Sequence, residues 1–109
     1  MSLIVELKKR SREHEAALWD RVASDLAKPA RKRRIVNLNR INRFTKENEI
    51  VIVPGKVLGT GDLDHKVTIA AFQFSNGAKE KIEETGSKVA SLLSLSKEKP
   101  QGKHIRIIG

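Results

Sequence analysis

The chain has 109 residues, 39% hydrophobic and 32% charged, with a formal net charge of +9. That size supports one domain, or one domain with an attached arm, around a mostly aliphatic core, because Trp19, Phe44, Phe72 and Phe74 are the only aromatic residues. The lack of cysteine excludes disulfides, thiolate zinc sites and cysteine nucleophiles, and no run approaches the roughly twenty apolar residues of a membrane span.

Ser2 to Lys28 reads as helix in two pieces. Ile4 and Leu7 share one face, and Leu18, Val22 and Leu26 then repeat every four residues beside Trp19 and Ala23. The polar interval of Arg10, Arg12, Glu13 and Glu15 is where the first piece ends, and Pro29 stops the second. From Lys28 to Lys46 the chain carries eight Lys or Arg residues and no acid, with Ile35, Leu38, Ile41 and Phe44 threaded through at intervals of three. That interval fits neither a strand nor a long helix. It predicts a short irregular segment pinned to the core by those four side chains, with Asn37, Arg40 and Arg43 as the outward row. Lys28 to Arg34 is expected as a loose loop.

Glu49 to Val53 is apolar and β-branched, a buried strand ended by a turn at Pro54-Gly55. A glycine-bearing connection leads to a second strand over Lys66 to Phe74. Ser75 is placed to cap a helix from about Asn76 to Thr85, with Ala78 and Ile82 buried and Gly86 as its stop. Lys88 to Ser91 fits another short strand, and Ser91 equally fits as the cap of a last helical turn or two through Leu92, Leu93 and Leu95. After Pro100 and Gly102, His104 to Ile108 closes the chain as a strand. The pattern is a small mixed α/β core over 47–109 behind an N-terminal helical and basic extension over 1–46.

Charge follows that division. Residues 1–46 hold 13 basic and 5 acidic groups, and residues 47–109 hold 9 and 8. A concentrated positive balance points to a polyanion. The cluster Arg31, Lys32, Arg33 and Arg34 could be a solvated loop or a targeting signal, but Arg40, Arg43 and Lys46 continue it, with Asn37, Asn39 and Asn42 interleaved. Arginine offers a planar fork to phosphate, and asparagine can pair with phosphate, sugar or a 2′-hydroxyl. Nucleic acid is therefore favoured over the solvated loop, and over a membrane surface, for which a broad apolar face is missing.

Other constellations are weaker. Gly59 to Asp62 ("GTGD") fits neither G-x-x-x-x-G-K-[ST] nor G-x-G-x-x-G. Asp62, Asp64 and His65 sit together, but no H-x-x-x-H pairing accompanies them; charges in a turn, with His65 as a surface contact, are the plainer account. Ser75 lacks a nucleophile-elbow setting. Among Lys97, Lys99, Lys103, His104 and Arg106, a solvated sheet face and a second phosphate contact stay open.

The pieces "VNLNRINR", "VPGKVLGTGDLDHKVTIAAFQFS" and "AKEKIEETG", with the opening "LWDRVASDLAKPARKRR" and closing "GKHIRIIG", carry a resemblance over nearly the whole chain. The sequence resembles the family of the archaeal and eukaryotic large-subunit ribosomal protein L-eighteen-e, and its C-terminal portion is similar to the wider family with bacterial L-fifteen. The compact length looks archaeal. The resemblance implies a cytoplasmic, ribosome-bound structural protein without catalytic activity, metal or cofactor. It also implies a small layered α/β core of irregular β-β-α turns. Its partners would be large-subunit ribosomal RNA and neighbouring ribosomal proteins, with no membrane and no small-molecule substrate. Carried onto this sequence, RNA contacts are expected from Arg31 to Arg43 and from Lys56 to Lys66. The named candidates are Arg31, Lys32, Arg33, Arg34, Asn37, Asn39, Arg40, Asn42, Arg43, Lys56, His65, Lys66 and Lys103.

The residues agree in kind. No DNA recognition helix is evident, and the scarcity of aromatics argues against a base-stacking sheet, leaving recognition by shape, phosphate and 2′-hydroxyl. The alternatives are a free regulatory RNA-binding protein, or a small metal-dependent nuclease centred on Asp62, Asp64 and His65.

Overall fold

A computed structural model gives the structure of the protein and describes residues 2–29, 32–102 and 104–108. The helices are α1 (Leu3–His14), α2 (Ala17–Leu26), α3 (Leu38–Phe44), α4 (Asn76–Glu84) and α5 (Leu92–Glu98). The strands are β1 (Arg34–Asn37), β2 (Ile50–Leu58), β3 (Thr68–Phe74), β4 (Lys88–Ser91) and β5 (Ile105–Ile107).

The five strands form one sheet in which every pairing is parallel. Its axis is β2. On one side β2 pairs with β3, and β3 with β4. On the other side two short strands lie end to end: β5 against Ile50 to Ile52, and β1 against Gly55 to Leu58.

A parallel sheet needs cover on both faces, and alternation along β2 supplies an apolar surface to each. Val51, Val53 and Val57 pack with Ile69, with Leu38 and Ile41 of α3, and with Ala78 and Ile82 of α4. Ile52 and Ala70 face the other way, against Trp19 and Val22 of α2, Leu7 of α1 and Leu92 and Leu95 of α5. Trp19 is fully buried, and its indole N–H donates to the Pro100 carbonyl at 2.9 Å. The result is a three-layer α/β domain. Both apolar clusters draw residues from either side of position 46, so the stretch expected as an extension is built into the same core as 47–109.

Several elements stand where local chemistry puts them. Ser75 Oγ accepts from the Ala78 N–H, and Gly86 terminates α4 with φ +76°. Ser91 both ends β4 and caps α5 through the Ser94 N–H.

Three expectations are corrected. Ile35 and Phe44 do not pin the basic segment; they are 64% and 48% exposed. The interval of three straddles a strand–helix junction. In β1 alternation turns Val36 inward and Ile35 outward, and in α3 Leu38 and Ile41 share the buried face while Phe44 lies about 120° around from Leu38. Thr45, about 20° from Leu38 by the same count, is buried instead.

Second, β2 does not end at Pro54-Gly55 but runs through it. The pairing with β3 slips there, from Val53↔Ala71 to Lys56↔Gln73, leaving one extra residue on β2. A bulge is where a strand tolerates a proline, which has no N–H for the ladder. A Cβ on Gly55 would overlap the Arg34 backbone, so β1 can approach only because that position is glycine.

Third, the described part of Lys28 to Arg34 is tied down. The Lys32 N–H donates to the Pro29 carbonyl at 2.8 Å, the Arg33 Nε–H donates to the Leu26 carbonyl at 3.1 Å, and Arg34 opens β1.

Gly55→Ala is therefore expected to destabilise the fold by about 1–3 kcal/mol, as overpacking does. Gly77→Ala, where a new Cβ meets nothing within 4 Å, should be neutral or stabilising. Urea unfolding of the two variants measures both; equal effects would contradict the close β1–β2 approach.

Candidate nucleic-acid interface

Because β1 pairs with β2 on one side only and runs straight into α3, the basic segment forms an edge of the domain. Helix α3 commits Leu38 and Ile41 to the core, which leaves Asn39, Arg40 and Arg43 exposed. The Arg40 guanidinium lies over the Phe44 ring, 5.4 Å from its centroid, and Asn39, Arg40, Arg43 and Phe44 surround a hollow of about 220 Å³. Stacking holds the guanidinium without using its N–H donors.

The opposite side of β1 is also basic. Val36 and Val57 are paired and buried, so the preceding pair, Ile35 and Lys56, points to the other face. Lys56 is exposed there, beside Arg34 and Phe72 in one groove. Arg33 is half-buried, with its guanidinium 5.0 Å from the Phe72 ring centroid. Among the described residues, no salt bridge occupies Lys32, Arg34, Arg40, Arg43 or Lys56. Cations without a protein carboxylate keep their charge and donors for an outside anion. Arg106 differs: its Nε–H donates to Glu49 at 3.2 Å. The Glu49 carboxylate also accepts the Lys46 N–H, and that bond first, then Arg106, holds its pKa below the ordinary value.

The glycine-rich loop is seated on α3. The Asn39 N–H donates to the Thr60 carbonyl at 3.0 Å, and Gly61, at φ +94°, has no room for a Cβ against the Asn39 backbone. Asn42 Oδ1 accepts the Asp64 N–H at 3.0 Å. The His65 ring bridges Asp64 Oδ1 through Nδ1 and the Thr45 hydroxyl through Nε2, both at 2.7 Å. On the far side Lys81 donates to the Gly61 carbonyl at 2.8 Å and approaches Asp62 at 3.7 Å. The two aspartates thus turn to different partners. The Asp64 carboxyl is held below the ordinary aspartate value, chiefly by its hydrogen bond from His65 and then by Asn42.

The candidates consequently separate. Lys32, Arg34, Asn39, Arg40, Arg43 and Lys56 are exposed around the β1–α3 edge, and Lys66 is exposed where the loop enters β3. Asn42 through its Oδ1, and His65 through both ring nitrogens, bond to groups of the protein itself and hold the loop. Asn37 is half-buried, and its Oδ1 has no partner among the described residues. Arg31 and Lys103 lie outside the described residues. Phe72 and Gln73 join the basic surface without having been singled out by sequence; only the parallel register brings them beside Lys56.

A family model described as ribosomal proteins 50S-L15, 50S-L18e and 60S-L27A matches residues 18–90. Among individual proteins, the chain is 52% identical over 91 residues to the large ribosomal subunit protein eL18 of Sulfurisphaera tokodaii, covering 84% of this chain and 77% of that one. It is 45% identical over 108 residues to the eL18 of Methanothermobacter thermautotrophicus, covering 99% and 89%. To the eL18 of Haloarcula marismortui it is 47% identical over 107 residues, covering 98% and 91%.

The lowered Asp64 carboxyl has a definite sign in stability. Its contribution is present above the unfolded-state aspartate pKa of about 3.9 and is lost as pH falls through the lower folded value. In a carbon-detected carboxyl titration, Asp64 should titrate below the ordinary value, and His65→Ala should move it back upward. A wild-type value at or above the ordinary one would contradict the loop geometry.

Proposed function

The chain belongs to the family of ribosomal proteins 50S-L15, 50S-L18e and 60S-L27A, and on that premise we propose that it is a structural, non-enzymatic component of the large ribosomal subunit that binds ribosomal RNA through its β1–α3 edge. It works in the cytoplasm, bound to the ribosome beside neighbouring ribosomal proteins. The names of its relatives support the assembly, and one observation carries the site. Arg34, Arg40, Arg43 and Lys56 are exposed on both sides of one strand–helix edge and paired with no carboxylate among the described residues.

The mechanism is electrostatic and geometric. Each guanidinium or ammonium that reaches a phosphate releases condensed counterions, which favours association and makes it salt-dependent. The sheet and α3 hold these cations on a rigid ridge, so less side-chain and backbone freedom is lost on binding than in a disordered arm. Asn39 adds an exposed amide able to pair with a phosphate or a 2′-hydroxyl. No helix among the described residues is long and apolar enough to cross a membrane.

Arg40→Ala combined with Arg43→Ala should lower affinity for large-subunit ribosomal RNA and reduce the log–log salt slope by roughly 1.5–2, two phosphate contacts' share. The melting temperature should stay close to wild type because both side chains are exposed. Filter binding across a salt series measures the slope. An unchanged slope would contradict the site, and a lost fold would assign these arginines to the core instead.

A further inference from the structure

The carboxyl ends of β2, β3 and β4 open into a groove of about 510 Å³, of which the ribosomal RNA reading uses only Lys56 at its rim. Phe72, Gln73, Lys56 and Lys79 line it, and it continues into the smaller groove beside Arg34 and Ile35. In α/β sheets this is the end at which ligands bind, and the volume lies within the roughly 300–1,000 Å³ of small-ligand sites.

Three features define what fits. Phe72 is 43% exposed, an aromatic ring left at the surface of a chain with four aromatic residues in all. A planar group already stacks on it: the Arg33 guanidinium, whose Nε–H is anchored to the Leu26 carbonyl. Cations surround the ring, with Arg34, Lys56 and Lys79 all exposed, and no carboxylate lines either groove among the described residues. An apolar protein tail would meet the ring but leave these charges unanswered. A nucleotide answers both, with a flat base for the ring and a phosphate for the cations.

We propose that the Phe72 ledge receives one unpaired base of the bound RNA, stacked on the ring beside Arg33, with its flanking phosphates held by Arg34, Lys56 or Lys79. The exposed Gln73 amide offers a donor and an acceptor to the base edge. This is a single stacking position at the sheet end, distinct from the multi-base platform that the scarcity of aromatics argues against. It rests on the ribosomal RNA reading and deepens it: the β1–α3 edge supplies phosphate contacts along structured RNA, and the ledge selects a place where a nucleotide is flipped out.

The test compares Phe72→Leu, which keeps apolar volume but removes the ring, with Phe72→Trp, which keeps a ring and adds a fluorophore. Deproteinised large-subunit ribosomal RNA and a plain RNA duplex are the probes. Phe72→Leu should bind the ribosomal RNA roughly 5- to 150-fold more weakly, the range of one lost base–aromatic stack, with an unchanged salt slope. Phe72→Trp should bind like wild type, with its added emission quenched by the ribosomal RNA and not by the duplex; Trp19 is buried and should not respond. Wild-type affinity in Phe72→Leu, or emission in Phe72→Trp that the ribosomal RNA leaves unchanged, would overturn the stacking position while salt-dependent binding through Arg40 and Arg43 stands. Failure of the wild-type chain to prefer ribosomal RNA over the duplex would overturn both.

Discussion

The pairing of Arg34–Asn37 with Gly55–Leu58 decides what the basic segment is. Left unpaired, a run of eight cations and no acids would be a solvated arm, ordered only when its charges meet an anion. Paired, it becomes a sheet edge whose next residues turn directly into α3. That pairing is possible because β2 continues past Pro54 through a bulge, and because Gly55 presents no Cβ to the Arg34 backbone. The bulge also divides one side of β2 between β5 and β1, so the first half of the strand completes the core while the second half carries the edge.

From that edge the electrostatics follow. Alternation along β1 and the helical turn of α3 sort the segment into buried aliphatics and outward cations, with Val36, Leu38 and Ile41 inside and Arg34, Arg40 and Arg43 outside. The glycine-rich loop reinforces α3, because the Asp64–His65–Thr45 chain and the Asn42 and Lys81 hydrogen bonds fasten it from both sides. Carboxylates near the site are engaged locally, Asp62 with Lys81 and Asp64 with His65, while among the described residues the ridge cations Arg34, Arg40, Arg43 and Lys56 pair with none. A rigid positive ridge with its neutralising groups turned elsewhere is suited to closely packed phosphates.

How much of this could be read from sequence depended on range. The α2 stripe, the Ser75 and Gly86 limits of α4, the Ser91 cap and the apolar run of β2 depend on neighbours within a few residues, and they stand as local chemistry puts them. The interval of three from Ile35 to Phe44 misled because it spans two periodicities, 2 and about 3.6, joined at Asn37–Leu38. Pro54-Gly55 looked like a turn because the residues that make it a bulge, on β1 and β3, are distant in the chain. The site divides in the same way. Arg34, Arg40 and Arg43 follow from local charge, whereas the engagement of Asn42 and His65 inside the protein needs the loop's seat on α3. Phe72 and Gln73 carry no local mark of a surface role; a parallel register places them beside Lys56.

The central claim is that the basic edge is already folded and meets RNA as a unit. Amide hydrogen exchange on the chain, free and bound to large-subunit ribosomal RNA, addresses it most directly. The account predicts that the alternate β1 amides that donate to β2 are protected in the free protein at the level of the core strands, and that RNA adds protection on β1, α3 and the groove at Phe72. Free exchange of those β1 amides without RNA, or new protection confined to the α1 and α4 surfaces, would contradict it.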